Sequence, residues 1–152
     1  MALEAVETER LRTFLSRDHQ RLETLFTHLL EEFAEGHREG VREMWTRFDA
    51  GLTGHIKAEE KYLLPHFQEV EPAAAAALRA DHDSFRRTLA ELGLGVDLAM
   101  VSLDVAEEFV RGLREHACKE NDLLYRWAQR EIGEEGQLRI ERELGGGQAE
   151  RR

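Results

Sequence analysis

The sequence has one cysteine, Cys118, and two prolines, Pro65 and Pro72, in 152 residues. A single thiol excludes an intrachain disulfide and any cysteine-built zinc knuckle. Scarce proline leaves long helices uninterrupted. Basic residues are outnumbered, with 21 Lys and Arg against 31 Asp and Glu, for a formal charge of −10 with seven neutral histidines. That balance excludes the basic footprint which nucleic acid and an anionic membrane surface both require. No apolar run approaches the ~20 residues of a membrane span, and Met1 to Arg12 lacks the apolar core of a secretory signal. No segment alternates apolar and polar residues between turns, so no sheet is expected, and no solenoid repeat is present. The expectation is a cytoplasmic protein with neither a nucleic-acid nor a membrane partner.

What remains is 41% hydrophobic and 34% charged, too apolar for a disordered chain and long enough for one domain with its own core. Glycines pair at expected breaks: Gly36 with Gly40, Gly93 with Gly95, Gly133 with Gly136. Between them Leu, Ala, Glu and Arg favour helix, over roughly 4–35, 40–64, 73–92 and 97–131. Short connections join antiparallel neighbours. The expected fold is all-α, an up-down-up-down antiparallel four-helix bundle over residues 1–132, with 133–152 a flexible or short-helical tail.

Each segment carries an apolar stripe at three- and four-residue spacing. The first runs Leu11, Leu15, His19, Leu22, Phe26, Leu29, Phe33; the second Met44, Phe48, Leu52, His55, Glu59, Tyr62. The third runs Leu78, His82, Phe85, Leu89, Leu92; the fourth Val105, Phe109, Leu113, His116, Glu120, Leu123, Trp127. Every stripe thus contains a histidine, and two add a glutamate one turn later. Positions four apart differ by only about 40° around a helix, so His55 projects with Glu59 and His116 with Glu120. One histidine in a core is commonly just hydrogen-bonded. Two carboxylates buried with no basic partner cost several kcal/mol each, whereas four imidazoles and two carboxylates form a nitrogen–oxygen ligand set for a pair of divalent metals.

The segments DHQRLETLF from Asp18, HIKAEEKYLLP from His55, LRADHDSF from Leu78 and HACKENDLLY from His116 together resemble the hemerythrin-like, HHE cation-binding family, over about residues 10 to 131. The resemblance implies a non-haem di-iron centre within a four-helix bundle. Carried over by position, His19, His55, His82 and His116 are terminal ligands. Glu59 and Glu120 bridge two iron ions, with an oxo or hydroxo group completing the core; zinc or manganese is an alternative on purification. Oxygen-carrying members have a second histidine where this chain has Arg86, and an aspartate where it has Asn121. Six protein ligands leave more open positions, which favours chemistry over dedicated oxygen carriage. The expected function is binding of, and reaction with, O2, peroxide or NO; if the chain is an enzyme, it is a di-iron oxidoreductase. An electron donor is then a partner. The alternatives are an iron-donating or iron-centre repair factor, with an apo iron protein as acceptor, and a non-enzymatic O2, NO or iron sensor or carrier.

Around this site, Gly51 and Gly112 each precede a ligand histidine by four residues, either opening a pocket or allowing close helix packing. Leu22, Phe26, Phe85 and Leu89 are expected to line the same end. Glu23 and Arg86 lie four beyond a histidine, either as a paired guard at the mouth or as two solvated rim residues. Tyr62, Leu123 and Trp127 are expected to plug the opposite end, with Tyr62 a candidate hydrogen-bond donor to a bridging carboxylate. His66, following Pro65 at the end of the second helix, lies either at the surface or as an extra metal contact, while His28, His37 and Cys118 point elsewhere. Asp18, Asp81 and Glu60 adjoin ligands, facing either solvent or the imidazole N–H groups.

Overall fold

The computed structural model describes residues 10–97 and 99–149, with side chains described as far as Leu144. Among them there is no strand. Helices α1 (Arg10–Ala34), α2 (Arg38–Tyr62), α3 (Leu64–Val70), α4 (Pro72–Asp97) and α5 (Leu103–Lys119) come first. A π-helical turn (Glu120–Leu124), α6 (Tyr125–Glu131) and α7 (Glu134–Ala149) follow. The first residues of the expected 4–35 helix lie outside the described range. No helix is long and apolar enough to cross a membrane among the described residues.

Local chemistry sets the breaks. Gly36 ends α1 in the left-handed region at φ 78°, which glycine adopts without steric cost. Pro65 stands in the first turn of α3, just past the end of α2, where its missing N–H interrupts the ladder. Ser102 caps α5 by accepting from Val105 N–H at 3.4 Å. The expected break at Gly93 and Gly95 is absent, because α4 runs through both to Asp97. Their small size serves packing instead. A Cβ on Gly93 would stand 3.2 Å from the Trp45 ring, and one on Gly95 3.1 Å from the Met100 carbonyl oxygen.

The helices pack as a closed bundle: α1 on α2, α2 on α4, α4 on α5, and both α5 and α6 back on α1. Two large apolar clusters, with a small third one of Leu29, Val41 and Val96, divide the interior. Leu22, Phe26, Phe48, Leu52, Phe85, Leu89 and Phe109 fill one end. Leu11, Leu15, Leu63, Leu78, Leu124 and Tyr125 fill the other. The segment after Gly133 joins that second cluster, since α7 buries Ile140 and Leu144 there and Glu141 pairs with Arg10 at 2.6 Å.

The π-turn corrects the fourth stripe. Tyr125 N–H bonds the Glu120 carbonyl five residues back, which inserts one residue into the helical repeat. Beyond Glu120 the buried positions are therefore Leu124, Tyr125 and Ala128, while Leu123 is 48% exposed. Accordingly, Leu124→Ala is expected to cost about 2–5 kcal/mol, and Leu123→Glu no more than about 0.5 kcal/mol. Urea unfolding of the two variants distinguishes this register from an uninterrupted α-helix, which reverses their order.

Candidate metal centre

Between the two apolar clusters lies a polar layer. Among the described residues, the buried polar side chains are Asp18, His55, Glu59, His82, His116 and Glu120, with His19 close to buried at 15% side-chain exposure. Each bundle helix contributes one histidine, and α2 and the π-turn contribute the glutamates. The histidines stand in two pairs, with ring centroids 4.4 Å apart for His19 and His55 and 4.9 Å for His82 and His116.

The glutamates join these pairs. His19, His55, Glu59 and Glu120 bring donor atoms within 4.8 Å of one another, as do Glu59, His82, His116 and Glu120. Glu120 Oε1 is 3.1 Å from His19 Nε2 and 3.0 Å from His116 Nε2. Glu59 Oε1 is 3.1 Å from His55 Nε2 and 3.7 Å from His82 Nε2. Glu59 Oε1 and Oε2, Glu120 Oε2 and His82 Nε2 are buried with no hydrogen-bond partner. Buried acceptors left unsatisfied cost about 1–3 kcal/mol each, and these four converge on one volume. The donor set and its orphaned lone pairs fit two cations sharing both carboxylates.

Three imidazoles are oriented from behind by carboxylates. Asp18 Oδ2 accepts from His55 Nδ1 at 2.7 Å, and Asp81 Oδ2 from His116 Nδ1 at 2.9 Å. Glu60 Oε2 stands 3.3 Å from His82 Nδ1. In each case Nε2 is turned toward the glutamates, as in the carboxylate–histidine–metal arrangement. Asp18, Asp81 and Glu60 each sit beside a site residue in sequence yet support a histidine on a different helix. Neighbouring residues project about 100° apart; one points to the bundle axis and the next into the groove of the adjacent helix.

The electrostatics match a site built around positive charge. Burial, with the charge of Glu120, pushes the Glu59 carboxyl up to about 7. Burial also favours neutral His116, but the charge and hydrogen bond of Glu120 outweigh it and raise the imidazole to about 9. Burial lowers His19, aided by the charge of His55. Burial, with the charges of Glu120 and Glu59, raises the Tyr125 phenol well above its usual range.

A cavity of about 30 Å³ adjoins this layer, walled by Leu22, Leu52, Ile56, Phe85 and Leu113, with Glu23 at its edge. One or two water-sized molecules fill such a volume. Gly51 and Gly112 do not line it; a Cβ on Gly112 would instead meet Phe85 at 3.6 Å. Phe26 and Leu89 lie deeper in the apolar cluster.

Other expectations need correction. Glu23 and Arg86 do not meet. Glu23 accepts from Arg114 Nε at 2.5 Å, while Arg86 binds Glu60 and, at 3.1 Å, Asp83. The physical reason is that α1 and α4 both pack on α2 and α5, which places these two side chains across the bundle from each other. His66 is exposed on α3 and belongs to neither buried donor group. Tyr62 packs only at the edge of the second apolar cluster, as does Trp127. The tyrosine at the carboxylates is Tyr125, whose hydroxyl donates to Glu120 Oε1 at 3.3 Å. Helical counting places a residue five past Glu120 about 140° away, and only the π-turn brings it round.

The hemerythrin HHE cation binding domain, as a family, matches residues 10–128 of the chain. No curated protein and no solved structure matches it.

Proposed function

The chain belongs to the hemerythrin HHE cation binding domain family, and on that premise we propose that it is a di-iron protein that binds and reacts with O2, peroxide or NO. His19, His55, His82 and His116 would hold the ions as terminal ligands, with Glu59 and Glu120 shared between them. The observation carrying this reading is the convergence of four unpartnered buried donor atoms between two histidine pairs. The order of helix contacts around the bundle supports an up-down-up-down arrangement. Two bound irons supply open coordination positions and transferable electrons.

The chain's own residues define what reaches them. Leu22, Leu52, Ile56, Phe85 and Leu113 make the approach apolar and narrow, which favours a diatomic gas or peroxide over a larger substrate. Asp18, Asp81 and Glu60 hold three imidazoles with Nε2 inward. Glu23, held by Arg114, lines the same cavity and is partly exposed, which places a carboxylate between cavity and solvent. The proposed partners are thus a small ligand and an electron donor.

Anaerobic ferrous loading, with iron counting and optical spectra before and after O2, peroxide and NO, tests this reading. The expected result is two irons per chain and a spectral change with at least one ligand. Fewer than one iron per chain defeats the metal centre. Two irons with no response, but with transfer to an apo iron protein, moves the function to iron donation.

A further inference from the structure

Tyr125 is fully buried and belongs to neither the His/Glu pattern nor the wall of the cavity. Its Oη lies 2.9 Å from His19 Nε2, 3.0 Å from His55 Nε2 and 3.3 Å from Glu120 Oε1. His19 Nε2 is itself 3.1 Å from Glu120 Oε1. Donor atoms about 2.1 Å from a shared ion, and set at right angles, stand about 3 Å from each other. These atoms have that spacing.

Proton counting supports the same conclusion. His55 Nδ1 faces the Asp18 carboxylate, so in the neutral form that metal binding requires, its imidazole presents a lone pair at Nε2. Glu120 Oε1 is also an acceptor. A phenol has one proton to offer, yet His19, His55 and Glu120 all converge on its oxygen. A cation at the point where these lone pairs converge satisfies them together. The other histidine pair has no phenol; the aromatic group beside His116 is Phe85, at 5.0 Å between ring centroids.

We propose that Tyr125 is a seventh protein ligand, its phenolate oxygen binding the ion held by His19, His55, Glu59 and Glu120. This rests on the metal-centre reading above. On ligation the phenolic O–H bond breaks, its proton passes to solvent, and the oxygen–metal bond forms, with no change in oxidation state. The two ions then differ. One carries a phenolate and the other does not.

The test is ferric loading of the full chain, followed by visible absorption and resonance Raman spectroscopy. The wild type is expected to show a phenolate-to-iron charge-transfer band with enhanced tyrosine ring modes. Tyr125→Phe is expected to lose both. Tyr62→Phe, which removes the chain's only other tyrosine, is expected to keep them. Iron bound without enhanced ring modes overturns the ligand while leaving the metal centre standing; absence of bound iron overturns both. Should Tyr125→Phe not fold, ring-deuterated tyrosine in the Tyr62→Phe variant decides the matter. Its enhanced modes must shift with the label, and an unshifted band overturns the proposal.

Discussion

Glu120→Ala is expected to leave at most one iron per chain where the wild type holds two. Glu120 Oε1 stands within about 3 Å of a histidine from each pair, and both donor groups include this carboxylate. Its removal takes an anionic ligand from both proposed ions at once. Iron counting after gel filtration reads the result, and two retained irons would show that Glu120 does not bridge. The other bridging candidate predicts an opposite effect on the metal-free protein. Both Glu59 oxygens are buried without a partner beside a second buried carboxylate. By removing a buried charge next to Glu120, Glu59→Gln is expected to stabilise the metal-free chain by about 1–3 kcal/mol near neutral pH while abolishing stabilisation by iron. The sign with pH follows from Glu59, which burial and the charge of Glu120 raise from 4.5 to about 7. Ionising it costs more in the folded chain than in the unfolded one, so its contribution to stability falls as pH rises through that interval. The advantage of the glutamine variant should thus widen between pH 5 and 7 in thermal melts without metal; a gap that narrows contradicts the assignment.

Asp18→Ala is expected to weaken metal binding by about 10–100-fold, the usual effect of removing a carboxylate behind a metal-bound imidazole. Asp18 is 2% exposed and accepts from both His55 Nδ1 at 2.7 Å and Arg21 Nη2 at 2.9 Å. Burial works against its ionised form, yet these partners hold the carboxyl well below its usual range. Without it, His55 loses the contact that fixes its tautomer and ring orientation, and two donors lose their acceptor. The structural cost is about 1–3 kcal/mol. Asp81→Ala should be milder, because Asp81 retains 29% side-chain exposure and water can replace it at His116. Chelator competition with equally folded samples measures the difference. Equal affinities for wild type and Asp18→Ala would mean that the His55–Asp18 contact is only structural.

Much of this architecture is legible in the order of residues. Apolar stripes at helical spacing place Leu22, Phe26, Phe48, Phe85 and Phe109 in the core, where the structure buries them. The HxxxE spacings put each histidine one turn from its glutamate. The structure brings those side chains together with His19 and His82. Their types and spacing are local properties of a regular helix, and a regular helix has one period. Where the period changes, legibility ends. The π-turn moves burial from Leu123 to Leu124 and carries Tyr125 to the carboxylates. Nothing in ENDLLY announces that extra residue, because a π-turn persists through the packing it permits and not through side-chain propensity.

The sequence by itself determined the helical class, the inward faces as far as Glu120 and the His/Glu donor set, because all three follow from a 3.6-residue period and residue chemistry. Only the tertiary structure decided which partner each of the remaining polar groups takes. Arg86 holds Glu60, Glu23 holds Arg114, and Asp18 and Asp81 each support a histidine from another helix. Those pairings depend on which helices lie side by side and how they are rotated, and that is a property of the packed bundle.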